Sequence, residues 1–203
     1  MSVESLIALA LAIAIFAASP GPAVFAIVTR TLASGFWPGA LFLVGCVTGD
    51  VIYLLLAVYG LSFVANSLSE LFIFIKLAGA GYLIWLGIKL WRSAAVAPAS
   101  ETSPQVSKSR GFGEGLLVTL GSPKAIFFFG ALLPTFLDIR SLSGTDIAIV
   151  AAIVAIGIVS VNAVYVVAAA RARSLLQSRQ TARWFNRATG SVMIGSGVAL
   201  ASR

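Results

Sequence analysis

The chain has 203 residues, of which 59% are hydrophobic and only 10% are charged, and its mean hydropathy is +1.01. This composition excludes a soluble domain and predicts an integral membrane protein. The net charge of +7 comes from Lys and Arg side chains that lie mostly at the ends of apolar runs. Such charges indicate membrane topology, so we do not predict nucleic acid as a partner.

Few side chains are available for metal binding or nucleophilic chemistry. Cys46 is the one cysteine, which excludes an intrachain disulfide and a paired-thiolate redox or metal site. The sequence has no histidine, so imidazole metal ligands and histidine acid–base catalysis are excluded as well. A membrane enzyme would lack a nucleophile with its base, and we therefore predict no catalytic residue, no metal site and no cofactor.

The first apolar segment, Val3 to Ala18, has no Lys or Arg before it, so we interpret it as a retained helix rather than a signal peptide. A Ser-Pro-Gly-Pro motif follows, and apolar residues resume from Ala23 to Val28. The motif consists of Ser19, Pro20, Gly21 and Pro22. Two prolines around a glycine inside one apolar segment predict a discontinuous helix. The alternative is a simple proline kink, which membrane helices tolerate.

Five more apolar segments bring the predicted fold to about six transmembrane helices, an all-α polytopic protein. The predicted second to sixth helices are Pro38–Ala65, Leu71–Trp91, Phe112–Leu137, Ile147–Ala170 and Ala188–Ser202. We expect a loop at Arg30–Trp37, a basic connector at Arg171–Arg187 and close helix packing at Gly79–Gly81. The polar stretch 92–110 is a predicted flexible linker between two three-helix repeats, 1–91 and 111–203.

The fourth predicted helix carries a lysine near its centre. A charge at the middle of a bilayer costs from about 2.5 to more than 10 kcal/mol, so we expect Lys124 to face protein or water. Ser122 and Pro123 precede it, and a proline lacks the N–H that continues a helix. A broken backbone beside a charge at membrane depth indicates a functional site, because such backbone is tolerated where it lines a cavity.

The two halves of the chain resemble each other. Ser19-Pro20 matches Ser122-Pro123, and the segment Thr48–Tyr53 aligns with Ser160–Tyr165. This alignment pairs Asp50 with Asn162 and Tyr53 with Tyr165. Each half has three helices, an odd number, so the repeats have opposite orientations in the membrane. We therefore predict a 3+3 inverted repeat, the plan of many secondary transporters whose sites form at interrupted helices.

The distribution of basic residues predicts the orientation of the chain. Ten Lys and Arg residues border the odd-numbered connections, whereas two lie on the opposite side. Basic residues accumulate on the cytoplasmic side of membrane proteins. We therefore place the 92–110 loop in the cytoplasm and both termini outside.

Several motifs stand in a recognisable order along the chain: the Ser19–Pro22 motif, Gly49-Asp50, the run from Lys76 to Gly87, and Ser122-Pro123-Lys124-Ala125 with Phe127-Phe128. Together they resemble the lysine exporter/homoserine–threonine resistance (LysE/RhtB) superfamily. The resemblance covers the whole chain, and it departs at Ser122, where family members usually have asparagine. It implies a six-helix bacterial inner-membrane exporter of amino acids, driven by the proton gradient.

The residues suggest how such a site works. The helix segment that restarts after Pro22 presents free N–H groups, and Lys124 adds a positive charge, so together they are suited to a carboxylate. Asp50 is suited to accept an ammonium group or to carry a coupling proton, with hydrogen bonds from Tyr53 and from the repeat residues Asn162 and Tyr165. The alternative is a permanent ion pair between Asp50 and Lys124 that only fixes helix packing.

From these observations we predict a proton-coupled exporter of small neutral amino acids such as threonine or homoserine. A dicationic substrate would require more than one intramembrane carboxylate. In this sequence only Asp50 is clearly predicted to lie within the membrane. The expected partners are an amino acid, protons and the lipid bilayer, and glycine-rich helix faces are compatible with a homodimer. The alternatives are an exporter of another small solute or a metal ion, and a membrane scaffold that transports nothing.

Overall fold

The computed structural model describes residues 2–63, 69–92, 108–138, 142–173 and 179–202, and these form an all-helical protein. In chain order the α-helices are α1 (Val3–Ala18), α2 (Pro22–Ser34), α3 (Phe36–Phe63), α4 (Ser69–Arg92), α5 (Lys108–Leu120), α6 (Pro123–Phe127), α7 (Leu133–Phe136), α8 (Gly144–Ala172) and α9 (Arg179–Ala201). A π-helical segment, Phe128–Leu132, joins α6 to α7. The predicted all-α polytopic class is confirmed.

Within the described residues, two helices, α3 and α8, are long and apolar enough to cross a membrane by themselves. Two bent pairs also qualify when each pair is taken as one span: α1 with α2, and α5 with α6 and α7. The count of six spans therefore stays a prediction. Most of the expected 92–110 linker, residues 93–107, lies outside the described residues, while α4 extends through Arg92 and α5 begins at Lys108.

The helix boundaries correct two predictions. The loop expected at Arg30–Trp37 is mostly helical, because α2 continues to Ser34 and Gly35 alone separates it from α3. Gly35 has a φ of 93°, a conformation that favours glycine. The sixth helix begins at Arg179, well before the expected Ala188, so much of the predicted basic connector is helical. Arg, Ala and Gln are good helix formers, and a hydropathy pattern detects only the apolar part of such a helix.

Each long core helix buries one face. Val150, Val154 and Ile158 of α8 recur every fourth residue and are almost completely buried, and Asn162 continues the same stripe. On α3, Phe42 and Cys46 form a similar stripe that Asp50 continues. The opposite side of α8 exposes large apolar side chains that suit lipid contact, including Ile156 and Val164. Asp50 and Asn162 are therefore polar residues on the protein-facing sides of their helices.

Glycines allow close contact between α4 and α9. A Cβ atom added at Gly190 would lie 2.6 Å from the carbonyl oxygen of Gly87, and one added at Gly87 would lie 2.7 Å from that of Gly190. Close packing was expected at Gly79–Gly81, and it is found at Ala80, whose carbonyl oxygen would lie 2.8 Å from a Cβ added at Gly197. Gly81 itself has open space at its Cβ position, so the prediction is wrong for that residue. The relevant glycines are those on the face that α4 turns toward α9.

A capping box starts α8 outside the apolar part of the helix. The Ser143 hydroxyl accepts from the Asp146 amide, and the Asp146 carboxylate accepts from the Ser143 amide at 3.0 Å. The Ser143 hydroxyl and amide lower the pKa of the Asp146 carboxyl below its ordinary value. These bonds satisfy N–H groups that the first turn of a helix leaves without partners.

Candidate functional site

Two helix breaks face each other in the structure. The chain bends by 56° between α1 and α2, at Ser19–Gly21, and by 53° between α5 and α6, at Gly121-Ser122. Pro22 and Pro123 are the first residues of the helices that restart, where a proline's missing N–H costs no hydrogen bond. Each break leaves helix carbonyls and amides without their regular partners.

Lys124, which belongs to the second half of the chain, binds the end of α1 at the first break. Its ammonium Nζ donates to the carbonyl oxygens of Phe16 and Ser19, the latter at 2.6 Å, and lies 4.5 Å from the centre of the Phe16 ring. The stem of the side chain passes over Gly21, where an added Cβ would lie 3.1 Å from its Cδ. The lysine charge thus neutralises the negative end of α1, and a side chain at position 21 would crowd its stem.

Tyrosines bond to both breaks. The Tyr53 hydroxyl of α3 donates to the carbonyl of Leu120, the last residue of α5. The Tyr165 hydroxyl of α8 donates to the carbonyl of Ala18, the last residue of α1, at 2.8 Å. Each half of the chain therefore supplies a tyrosine to the interrupted helix of the other half.

A cavity of about 30 Å³ lies between the two breaks. Its polar lining side chains are Asp50, Thr119, Ser122, Lys124 and Asn162. Asp50 is only 5% exposed, so its carboxylate is held inside the helix bundle. Asp50 and Lys124 face this cavity without forming a direct ion pair; within the described residues, a salt bridge is found instead between Arg30 and Glu114.

Two of the cavity oxygens have no hydrogen-bond partner among the described residues. They are Oδ1 of Asn162 and Oγ1 of Thr119, both buried. The Asn162 amide nitrogen donates to the carbonyl of Ile158 at 3.1 Å, which leaves Oδ1 as the free end of the side chain. The sequence analysis did not predict that the Thr119 side chain lines the site. Its position one turn before Pro123, inside a broken helix, is the signal that points to it.

A second, wider groove of about 380 Å³ lies on the other side of Lys124. Its lining is apolar except for Ser19 and Lys124, and it runs between α1 and the segment from α6 to α7. Phe16 and Lys124 belong to both the groove and the cavity. These two side chains therefore form the wall between them.

At the other end of α2, polar contacts join it to three neighbouring helices. Arg30 pairs with Glu114 of α5 at 3.1 Å. The Thr29 hydroxyl lies 3.4 Å from that of Thr189 on α9, and Arg173 after α8 donates to the Ala33 carbonyl at 3.4 Å. The Arg30–Glu114 pair thus joins α5 to α2.

With this geometry established, comparisons with known proteins identify the family. The family model described as LysE type translocator matches residues 14–203. The chain belongs to the LysE type translocator family. The family resemblance inferred from the sequence motifs is confirmed. No solved structure matches this LysE-type chain.

Relatives of this LysE-type translocator include proteins named for efflux. It is 34% identical to an uncharacterized membrane protein of Synechocystis sp., over 93% of this chain and 91% of that protein. It is 29% identical to the homoserine/homoserine lactone efflux protein of Salmonella typhi, over 91% of this chain and 89% of that protein. It is 30% identical to the threonine efflux protein of Escherichia coli (strain K12), over 58% of this chain and 59% of that protein.

The structure of the translocator brings most of the predicted residues to one place. Gly21, Asp50, Ser122, Lys124 and Asn162 line the cavity. Ser19 offers its carbonyl to Lys124, while Pro20, Pro22 and Pro123 form the breaks. Tyr53 and Tyr165 were expected to reach the substrate site, but their hydroxyls bond to break carbonyls and they are absent from the lining of the cavity.

Proposed function

We propose that this protein is a secondary exporter that moves small neutral amino acids, such as threonine or homoserine, out of the cytoplasm in exchange for protons. The observation that carries the proposal is one cavity, between two broken helices, with a carboxylate and an ammonium group in its walls. Opposite charges across a small cavity complement a zwitterion. The names of the efflux relatives support the same substrate class.

The carboxylate end of the substrate has two positive groups to meet. Ala23 and Val24, in the first turn of α2, line the cavity, and the N-cap residue Gly21 makes no side-chain bond to that turn. The free amides there and the Lys124 ammonium favour an anion. Lys124 already holds two carbonyls of α1, so a substrate carboxylate competes with the helix end for this ammonium.

Asp50 is the residue we assign to coupling. It is the buried carboxylate of the cavity, and a carboxylate inside a membrane protein is well suited to exchange a proton for a cationic substrate group. Binding of the substrate ammonium and binding of a proton are then mutually exclusive at Asp50. This competition at Asp50 couples efflux of the amino acid to entry of the proton.

The cavity size indicates a closed conformation. A volume of about 30 Å³ holds water but not an amino acid, since small-molecule pockets begin at roughly 300 Å³. Transport therefore requires the helices around the breaks to separate. We propose that the Arg30–Glu114 pair closes the cytoplasmic end and that the groove beside Lys124 lies on the path to the outside.

We place the protein in the bacterial inner membrane with both termini outside and the 92–110 segment in the cytoplasm, as the basic residues predict. The exchange of tyrosine bonds between the halves supports two inverted repeats, 1–91 and 111–203, because each tyrosine occupies the equivalent position in its own half. A metal substrate is less favoured: among the described residues, no group of three or more Cys, Asp or Glu side chains converges.

The test uses purified protein in liposomes loaded with the twenty standard amino acids and homoserine. We expect a small set, including threonine or homoserine, to leave faster when an inward proton gradient is imposed. Asp50→Asn should abolish the acceleration by the gradient, whereas Asp138→Asn, which changes an exposed carboxylate, should not. Efflux that ignores the gradient in the wild-type protein would refute proton coupling, and the absence of any efflux from folded protein would refute the substrate class.

A further inference from the structure

The cavity between the helix breaks contains two oxygens that the protein itself leaves without partners. Thr119 is 2% exposed and Asn162 is 5% exposed, and both line the cavity beside Asp50. Buried polar atoms in native proteins nearly always have a partner, so unpaired oxygens at one cavity point to a ligand that supplies donors.

Neighbouring contacts direct these oxygens. The Asn162 amide nitrogen is held by the Ile158 carbonyl, so Oδ1 is the part of the side chain left to accept. The methyl group of Thr119 packs against Gly49, where an added Cβ would lie 2.9 Å from it. The nearby Cys46 thiol donates to the Gly115 carbonyl at 3.4 Å. Its one proton is therefore engaged away from Thr119.

The number and type of acceptors suit a primary ammonium group. A carboxylate, an amide oxygen and a hydroxyl give three acceptors, and a primary ammonium group has three N–H donors and one positive charge. The Lys124 ammonium does not fill this role, because its bonds go to the Phe16 and Ser19 carbonyls. A cavity of about 30 Å³ also matches the size of such a headgroup better than that of a whole substrate.

We propose that Asp50, Asn162 and Thr119 form the subsite that recognises the α-ammonium group of the substrate, and that Thr119 and Asn162 determine specificity for a free primary amine. This subsite rests on the proposed function and adds to it the side-chain oxygens that accept hydrogen bonds from the N–H groups of the substrate. A site that hydrogen-bonds a donor strongly rejects analogues lacking it, since its own polar groups then stay unpaired. N-acetylated amino acids and 2-hydroxy acids should therefore be rejected.

The first experiment compares transport of L-homoserine, N-acetyl-L-homoserine and 2,4-dihydroxybutyrate by the full chain in liposomes. Wild type should carry homoserine and reject the other two. Thr119→Val, which keeps the shape and removes the hydroxyl, should raise the KM for homoserine about tenfold or more, because one bond to a charged group is lost. Thr119→Ser retains the hydroxyl and should restore a KM near that of wild type. Equal transport of dihydroxybutyrate by wild type, or an unchanged KM in Thr119→Val, overturns the proposal.

A second experiment does not depend on transport. Cys46 lines the same cavity, so the rate at which a maleimide labels it in the folded protein reports occupancy. Methylammonium should slow labelling in wild type and not in Thr119→Val, while tetramethylammonium, which has no N–H, should have no effect. Protection by methylammonium without amino-acid efflux would support the subsite and refute the proposed function. Equal protection by sodium chloride would overturn the subsite in favour of an alkali-cation site.

Discussion

The hydrogen bond from Tyr53 to the end of α5 provides a direct test of how the helix breaks are stabilised. Tyr53 is 4% exposed, and its hydroxyl donates to the Leu120 carbonyl, which has no following helical turn to bond with. Tyr53→Phe keeps the ring and leaves this carbonyl unpaired. An unsatisfied buried acceptor costs about 1–3 kcal/mol. For a chain of this length, each kcal/mol lowers the melting temperature by about 2–4 °C, so we expect a decrease of about 2–12 °C.

The chain contains its own probe for this measurement. Cys46 is the single cysteine and is 2% exposed, so a fluorogenic maleimide reacts with it when the helices separate on heating. Reaction against temperature in detergent micelles gives the melting temperature of the core around the site. Tyr59→Phe is the matched control, since Tyr59 lies on the same helix and is 60% exposed.

The outcome separates two explanations of the breaks. If Tyr53→Phe melts at a lower temperature than Tyr59→Phe, the tyrosine hydroxyl substitutes for the helix bonds that the break removes. If the two variants melt together, the Leu120 carbonyl is satisfied in another way and the reasoning from unpaired carbonyls is refuted.

Three further predictions concern the ends of the helices and their packing. Glu114→Gln removes the charge that pairs with Arg30, so the proposed cytoplasmic gate should open more often. Maleimide should then label Cys46 faster in the folded protein. The control Glu4→Gln, at the start of α1, should be labelled at the wild-type rate. Gly190→Val forces a side chain onto the Gly87 carbonyl and should destabilise the protein by about 1–3 kcal/mol in the same melting assay. Gly195→Val is the control and should not destabilise it in this way, because position 195 has open space for a side chain. The lowered pKa of Asp146 means that its capping box stabilises α8 above the ordinary carboxyl range and loses this effect as the pH falls through the lowered value. The protection of amides in the first turn of α8, taken as the hydrogen-exchange rate relative to the intrinsic rate at each pH, should therefore decrease on acidification in wild type and be insensitive to that titration in Asp146→Asn.

The sequence by itself was enough to predict the features that depend on local chemistry. Apolar composition predicts the all-helical membrane class, and a proline next to a charge at membrane depth singles out Lys124 and its surroundings. Asp50 was found as a carboxylate inside an apolar run, and Asn162 was found because the alignment of the two halves pairs it with Asp50. The start and end of α1 were also predicted correctly, since a Pro-Gly motif ends the helix through its own backbone.

Tertiary structure alone decided which groups meet. Helical periodicity places Asp50 and Tyr53 on neighbouring faces of α3, but it does not say which helix each face will contact. The structure directs Lys124 to the carbonyls of α1 rather than into contact with Asp50, directs the tyrosines to the break carbonyls, and adds Thr119 to the cavity. These outcomes depend on the rotation and crossing of helices distant in sequence, which are set by the packing of the whole bundle.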